Sequence, residues 1–143
     1  MKVYVIDASV ASRFLLVEDL SDKAELVLEG FLGEALDLKA PNLVVYEVGN
    51  TLWRAVKQGI INLDEAAEKF SYFLRLRIDS IELDEGEHKE ALEWSAKNDA
   101  TYYDSVYVEV SKKIGATLLT SDDILYENAR KEIPTIHLKD YQK

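Results

Sequence analysis

The chain has 143 residues, a net charge of −10, 48% apolar and 31% charged residues, and no cysteine. This balance can bury a core without staples, and it excludes a disordered chain, a disulfide framework, a thiolate metal site and a cysteine nucleophile. No apolar run approaches the roughly 20 residues of a membrane span, and the acidic surplus argues against a protein that coats nucleic acid through a positive field, though not against one that meets it through bound cations.

The start, Met1-Lys2-Val3-Tyr4-Val5-Ile6-Asp7, has an apolar run too short for a signal-peptide core and reads as a first strand over Val3–Ile6. With no cysteine to pair in an oxidising compartment, the expected setting is the cytoplasm. With no repeat, low-complexity stretch or Pro/Gly/Ser linker, residues 1–143 read as one domain. A helix-like segment follows from about Val10 to Leu16, and Ser21 is placed to cap a second helix through about Leu32. Leu36–Ala40 is a candidate strand ended by Pro41, which pushes the residue before it out of helical geometry. Asn42 then stands as the cap of a long helix to about Gln58, with Gly59 at its end.

Asn62 and Glu65 have capping-box spacing for a helix ending near Arg77. Ser80–Leu83 is a candidate strand and Glu85–Lys97 a charged amphipathic helix. Thr101 and Asp104 open another helix to Ile114, stopped by Gly115. Ala116–Leu119 reads as a strand, Asp122–Lys131 as a helix and Thr135–Leu138 as a last strand. Strands alternating with helices predict an α/β fold in which a mostly parallel sheet is sandwiched between helical layers. Sites in such sheets form outside the carboxyl ends of the strands.

That rule singles out two of the 27 acidic residues. Asp7 follows the first strand directly, and Asp122 follows Ala116–Leu119 through Thr120-Ser121, so both fall on the same edge of the sheet; the ordinary alternative for each is a helix N-cap. Glu47 borders the stripe Val44, Val48, Leu52 and Val56 together with Asn50 and Arg54, and its ordinary alternative is a rim carboxylate paired with Arg54 or Lys57. Asp104 lies in the first turn of a helix whose Tyr103, Val106, Tyr107, Val110 and Ile114 are expected to face inward. The helix dipole there favours its ionised form, and its ordinary alternative is the acidic half of a capping box. Four such carboxylates brought together would repel by several kcal/mol and are tolerable only if protonated or occupied by cations. All-oxygen ligation selects hard ions, Mg²⁺ or Mn²⁺. One or two such ions could activate water and stabilise the leaving oxygen of a phosphodiester.

The ordered pattern Val5-Ile6-Asp7-Ala8-Ser9, Pro41 followed by Tyr46-Glu47-Val48-Gly49-Asn50, Tyr102-Tyr103-Asp104-Ser105 and Leu119-Thr120-Ser121-Asp122 resembles a PIN domain, and most closely the VapC-type toxins of prokaryotic toxin–antitoxin pairs. The resemblance spans essentially the whole chain. It implies a three-layer α/β/α fold and a Mg²⁺- or Mn²⁺-dependent ribonuclease acting on RNA, usually a homodimer silenced by a VapB-type antitoxin. Asp7, Glu47, Asp104 and Asp122 take the acidic positions, with Glu47 as a ligand or water-orienting base. Ser9 and Thr120 fall where small hydroxyls support the acids, and Asn50 matches a polar position one turn after the glutamate. Asp123 either holds metal through water or caps the following helix, with the cap preferred.

Other readings compete. His88 and His137 suit structural or surface roles better than a two-histidine mechanism. Arg13 and Arg54 could touch phosphates; Lys57, Arg75 and Arg77 read as solvated or salt-bridged charge. The Tyr102-Tyr103 pair could stack a base, although Tyr103 reads better as core and Tyr102 is open; Trp53 and Trp94 read as packing residues. A non-catalytic PIN-like binding module would be indifferent to metal. An aspartyl phosphotransferase of haloacid dehalogenase type, with Asp7 as nucleophile, wants a second acid where this chain has Ser9.

Overall fold

Five strands and seven helices alternate through residues 1–143 in the computed structural model. Strand β1 (Lys2–Ile6) leads into the short helix α1 (Ala8–Ala11) and a 3-10 turn at Ser12–Phe14. Then come α2 (Ser21–Leu32), β2 (Leu36–Ala40), α3 (Leu43–Lys57), α4 (Leu63–Arg75) and β3 (Asp79–Ser80). The chain returns through α5 (Glu85–Asn98), α6 (Tyr102–Ile114), β4 (Thr117–Thr120), α7 (Asp123–Ala129) and β5 (Thr135–His137).

All strands are parallel, in the order β3-β2-β1-β4-β5. Helices cover both faces, giving the expected three-layer α/β/α sandwich. Burial on both faces explains the unbroken apolar run Tyr4-Val5-Ile6 in β1 and the wholly buried β4. The strand order reverses between β1 and β4, which makes the crevice beyond their carboxyl ends the topological switch point. Their register, Ile6 opposite Leu119, brings the residues that follow, Asp7 and Thr120, side by side. No helix is long and apolar enough to cross a membrane.

Several local expectations are corrected. Ser21 does not cap α2: the cap position is Leu20, in the left-handed region at φ 64°, and the Ser21 hydroxyl instead accepts from the Glu18 N–H and donates to the Leu16 carbonyl. Asn42 occupies the cap position of α3 in helical geometry, which denies its side chain the capping bond. The Asn62–Glu65 capping box forms as expected, and Asp84–Glu87 forms a second one at the start of α5. Helix α4 stops at Arg75, two residues early, because Arg77 turns left-handed at φ 54°. The edge strand β3 pairs only over Asp79–Ser80, with Ile81 adding one bond to the Ala40 carbonyl. The expected helix over Val10–Leu16 starts earlier, at Ala8, and tightens into the 3-10 turn at Ser12. Trp53 is 56% exposed because it sits one position past Leu52 on α3, off the buried stripe of Val44, Val48, Leu52 and Ala55. Trp94 is buried.

Helix α6 is buried on every side from Ser105 to Ser111, and this forces Glu109 inside against α5. Burial first, and the facing Glu90 second, push its carboxyl up to about 7. A raised carboxyl contributes stability at low pH that is lost as pH climbs from its ordinary 4.5 through 7. Glu109→Gln keeps a donor toward Glu90 and removes the charge. It should therefore stabilise the protein at pH 8 by on the order of 1 kcal/mol, a rise of about 2–4 °C in Tm. Below pH 5 the gain should vanish. Thermal melts across that range check it, and a pH-independent difference would refute the burial argument.

Candidate active site

Asp7 leaves the end of β1 and caps α1, its Oδ1 accepting from the Val10 N–H at 3.2 Å and from the Ser9 hydroxyl at 2.6 Å. Its Oδ2 accepts from the Thr120 hydroxyl at 2.5 Å. Thr120 Oγ1 in turn accepts from the Asp122 N–H at 3.0 Å, and Ser9 Oγ accepts from the Ser121 N–H at 2.9 Å. Two small hydroxyls thus stitch the end of β1 to the end of β4, with Asp7 and Asp122 on either side of the seam. Asp122 caps α7 through Oδ1, which accepts from the Leu125 N–H at 2.9 Å. For both residues the cap and the site coexist, since each spends one oxygen on the cap.

Glu47 makes no pair with Arg54 or Lys57. Its Oε1 accepts from the Tyr107 hydroxyl at 2.6 Å, across 60 residues of sequence. Burial first, then the Glu47 charge, drive the Tyr107 phenol far above its ordinary range, so it stays a donor. Lys57 lies over the Trp53 ring at 5.2 Å. Asp104 is not half of a capping box: the Thr101 hydroxyl accepts from the Asp104 N–H at 3.2 Å, and neither carboxylate oxygen has a protein donor. The four acids line one cleft of roughly 620 Å³ at the carboxyl edge of the sheet. Asp104 has no protein donor on either oxygen, Glu47 and Asp122 each have one oxygen engaged, and Asp7 has both engaged by Ser9, Val10 and Thr120.

The electrostatics follow from this gathering. Asp7 is 5% exposed, and burial pushes its carboxyl up to about 6 against the opposing pull of its Ser9, Thr120 and Val10 bonds. Asp104 is also raised to about 6, first by burial and then by the charges of Asp122, Asp7 and Glu47. This reverses the expectation from the helix dipole: partial desolvation and three like charges outweigh it. No three acids stand around a single point as ready-made metal ligands. Charge coupling acts over longer range than ligation, so the acids share one field without forming a closed cage.

The supporting residues divide. Ser9 and Thr120 brace the acids as expected, and Asn50 lines the cleft. Asp123 neither caps α7 nor lines the cleft; it meets the buried His137, whose Nε2 lies 2.8 Å from its Oδ1. His137 Nδ1 accepts from the Lys139 N–H, so this histidine is structural. Arg13 lines the cleft but is also committed to the protein. Its guanidinium donates to the Ser9 and Asp19 carbonyls, to Ser121 Oγ at 2.7 Å and to Asp19 Oδ1, tying the loops after β1 and β4 together. Arg54 lines the cleft with one weak contact at 3.5 Å to Thr51. Tyr103 is 59% exposed and also lines the cleft, because the first turn of α6 projects past the sheet edge before the helix is covered. The site role of Tyr107 was missed. The usable signal was that a buried tyrosine must find an acceptor, and Tyr107 lies three residues after Asp104 on the same helix face. Ser9, two residues after Asp7, holds that carboxylate where a phosphotransferase would place its second acid.

Residues 4–131 match the profile of the PIN domain, and the chain belongs to that family. It is 33% identical over 127 residues to Ribonuclease VapC3 of Pyrobaculum aerophilum, a match covering 86% of this chain and 92% of that one. Among solved structures, PAE2754 from Pyrobaculum aerophilum superposes with a TM-score of 0.72 at 23% identity, covering 96% of this chain and 92% of that chain. The Rickettsia felis VapBC2 structure, bound to a DNA fragment from its promoter, gives 0.68 at 14% identity, covering 94% and 98%. These two likenesses concern the fold.

Proposed function

We propose that this protein is an endoribonuclease dependent on Mg²⁺ or Mn²⁺, and that it is the VapC-type toxin of a toxin–antitoxin pair, held inactive by a VapB-type partner. The observation that carries the reading is that Asp7, Glu47, Asp104 and Asp122 line one cleft, where burial first and the three neighbouring charges second raise Asp104. An all-oxygen, strongly anionic donor set suits a hard divalent ion, and Mg²⁺ is ordinarily held through one or two carboxylates with waters in its other positions. Of Asp7, Asp104 and Asp122, one or two would hold it directly and the rest through its waters, with Glu47 as a further such group or as the one that orients water. When bound, such an ion supplies charge neutralisation and activation of water for in-line attack on a phosphodiester.

The chain's own residues do the positioning. Tyr107 fixes one oxygen of Glu47 and leaves the other for the cleft. Thr120 and Ser9 set the plane of Asp7. Asn50 and Arg54, on the same helix as Glu47, line the cleft and would offer donors to phosphate and ribose oxygens. RNA as substrate and a VapB-type antitoxin are supported by the VapC name of the relative and by the VapBC fold neighbour. A homodimer and a cytoplasmic location belong to the same proposal.

The test is a panel of RNAs incubated with Mn²⁺ or Mg²⁺, with and without chelator. Cleavage that depends on the ion and ceases with chelator is expected. Chelator-insensitive cleavage, or none on any RNA with the ion supplied, refutes the reading.

A further inference from the structure

A second cavity of roughly 370 Å³ adjoins the acid cleft and shares two walls with it, Leu43 and Tyr103. Its chemistry differs. Ile81, Leu83 and Val106 make it mainly apolar, and none of the four cleft acids reaches it. From this juxtaposition we infer that the second cavity is a nucleobase subsite, in which a base flanking the scissile phosphate stacks on the ring of Tyr103. The inference rests on the ribonuclease reading and names how that site engages its substrate.

Tyr103 precedes Asp104 on the first turn of α6, so a phosphate held at the acids has an exposed aromatic face immediately beside it. An aromatic face takes any base, and a concave apolar wall excludes the water that would compete for it. The other side of the cavity is firm. Tyr102 and His88 lie nearly parallel, 24° apart, joined by a contact between the Tyr102 hydroxyl and His88 Nδ1. The polar groups at its rim are uncommitted. Asn42 lacks the capping bond its position would normally give it, leaving its amide free to donate and accept. The Glu82 carboxylate has no protein donor, while its backbone is fixed by Lys113, whose Nζ donates to the Glu82 carbonyl at 2.7 Å. Stacking on Tyr103 supplies affinity, and Asn42 with Glu82 reads the base edge.

The test pairs protein variants with substrates lacking one base. Short oligoribonucleotides that the wild type cleaves with Mn²⁺ are compared with versions abasic at the nucleotide 5′ or 3′ to the cut. Wild type should lose about tenfold in kcat/KM on one of the two abasic substrates. Tyr103→Ala should cleave that substrate and its intact parent at equal, lowered rates, whereas Tyr103→Phe keeps the ring and the discrimination. Glu82→Gln should change the ranking of the four bases at that position. Wild type indifferent to both abasic substrates overturns the subsite and leaves the cavity to a peptide partner. Unchanged discrimination in Tyr103→Ala overturns it equally. No cleavage of any substrate with Mn²⁺ is a different result, because it removes the ribonuclease reading and the subsite with it.

Discussion

Replacing Asp104 with asparagine should lower ion-dependent RNA cleavage about a thousandfold, on the order of 4 kcal/mol of transition-state stabilisation, while leaving the protein folded. The structure separates the two effects because Asp104 takes no part in holding its helix. Thr101 supplies the cap, and both Asp104 oxygens face the cleft without a protein donor. The substitution is nearly isosteric and removes one charge. Asp104 is raised from 3.8 to about 6, so its stabilising contribution, full at low pH, is lost as pH rises through that window, and at neutral pH its charge opposes folding. The variant should accordingly be the more stable of the two without metal above pH 6, with the gap closing as pH falls toward 4. Solvent at the cleft screens the repulsion, which limits the gain to on the order of 1 kcal/mol. Titrating Mn²⁺ should raise the wild-type Tm and barely move that of the variant. Wild-type cleavage rates, or an undiminished Mn²⁺ shift, would remove Asp104 from the site.

What the sequence reveals about this site depends on whether the deciding contact is local. Asp7 and Asp122 are legible from topology, since an acid at the end of a parallel strand must fall on the sheet's carboxyl edge, and the β1–β4 register then fixes their neighbours. Asn62 and Glu65 are legible because a capping box closes over three residues. Asn42 and Ser21 mislead for the same reason in reverse: residue type suits a cap, but capping requires an extended φ/ψ that the chain entry denies Asn42, while Ser21 is already the first helical residue. Tyr103 and Trp53 show a second limit. Periodicity gives the phase of a helix but not where its covering layer ends, so an aromatic on the first turn, or one position off the stripe, is misplaced. Glu47 and Asp104 gain weight only through the family pattern. The partner that fixes Glu47 lies on another helix, and the open oxygens of Asp104 are a property of the folded cleft. The pairing of Asp123 with His137 is equally non-local, which is why a cap was the better reading of that acid from sequence.

Thr120→Val tests whether the seam between the two strand ends is part of the machine or only of its frame. Valine keeps the shape at a position that is fully buried, so packing is preserved and only the hydroxyl goes. Two groups lose their partner, the Oδ2 of Asp7 and the N–H of Asp122, at about 1–3 kcal/mol of stability. The effect on chemistry has a definite sign. The Thr120 bond holds the Asp7 carboxyl down against burial, so removing it raises that carboxyl beyond 6 and leaves less of it ionised near neutrality. Cleavage should fall about 10- to 100-fold at neutral pH, as it does when a group supporting a metal ligand is lost. The acid limb of the pH–rate profile should also move to higher pH, so that part of the loss is recovered at pH 8 to 9. Thr120→Ser retains the hydroxyl and should return the profile to its original position even if it costs some packing. A purely structural threonine would instead give a less stable protein with an unmoved pH profile. Because Ser9 reaches the same carboxylate from the other side, Ser9→Ala should shift the profile in the same direction, and the double variant should shift it further than either change alone.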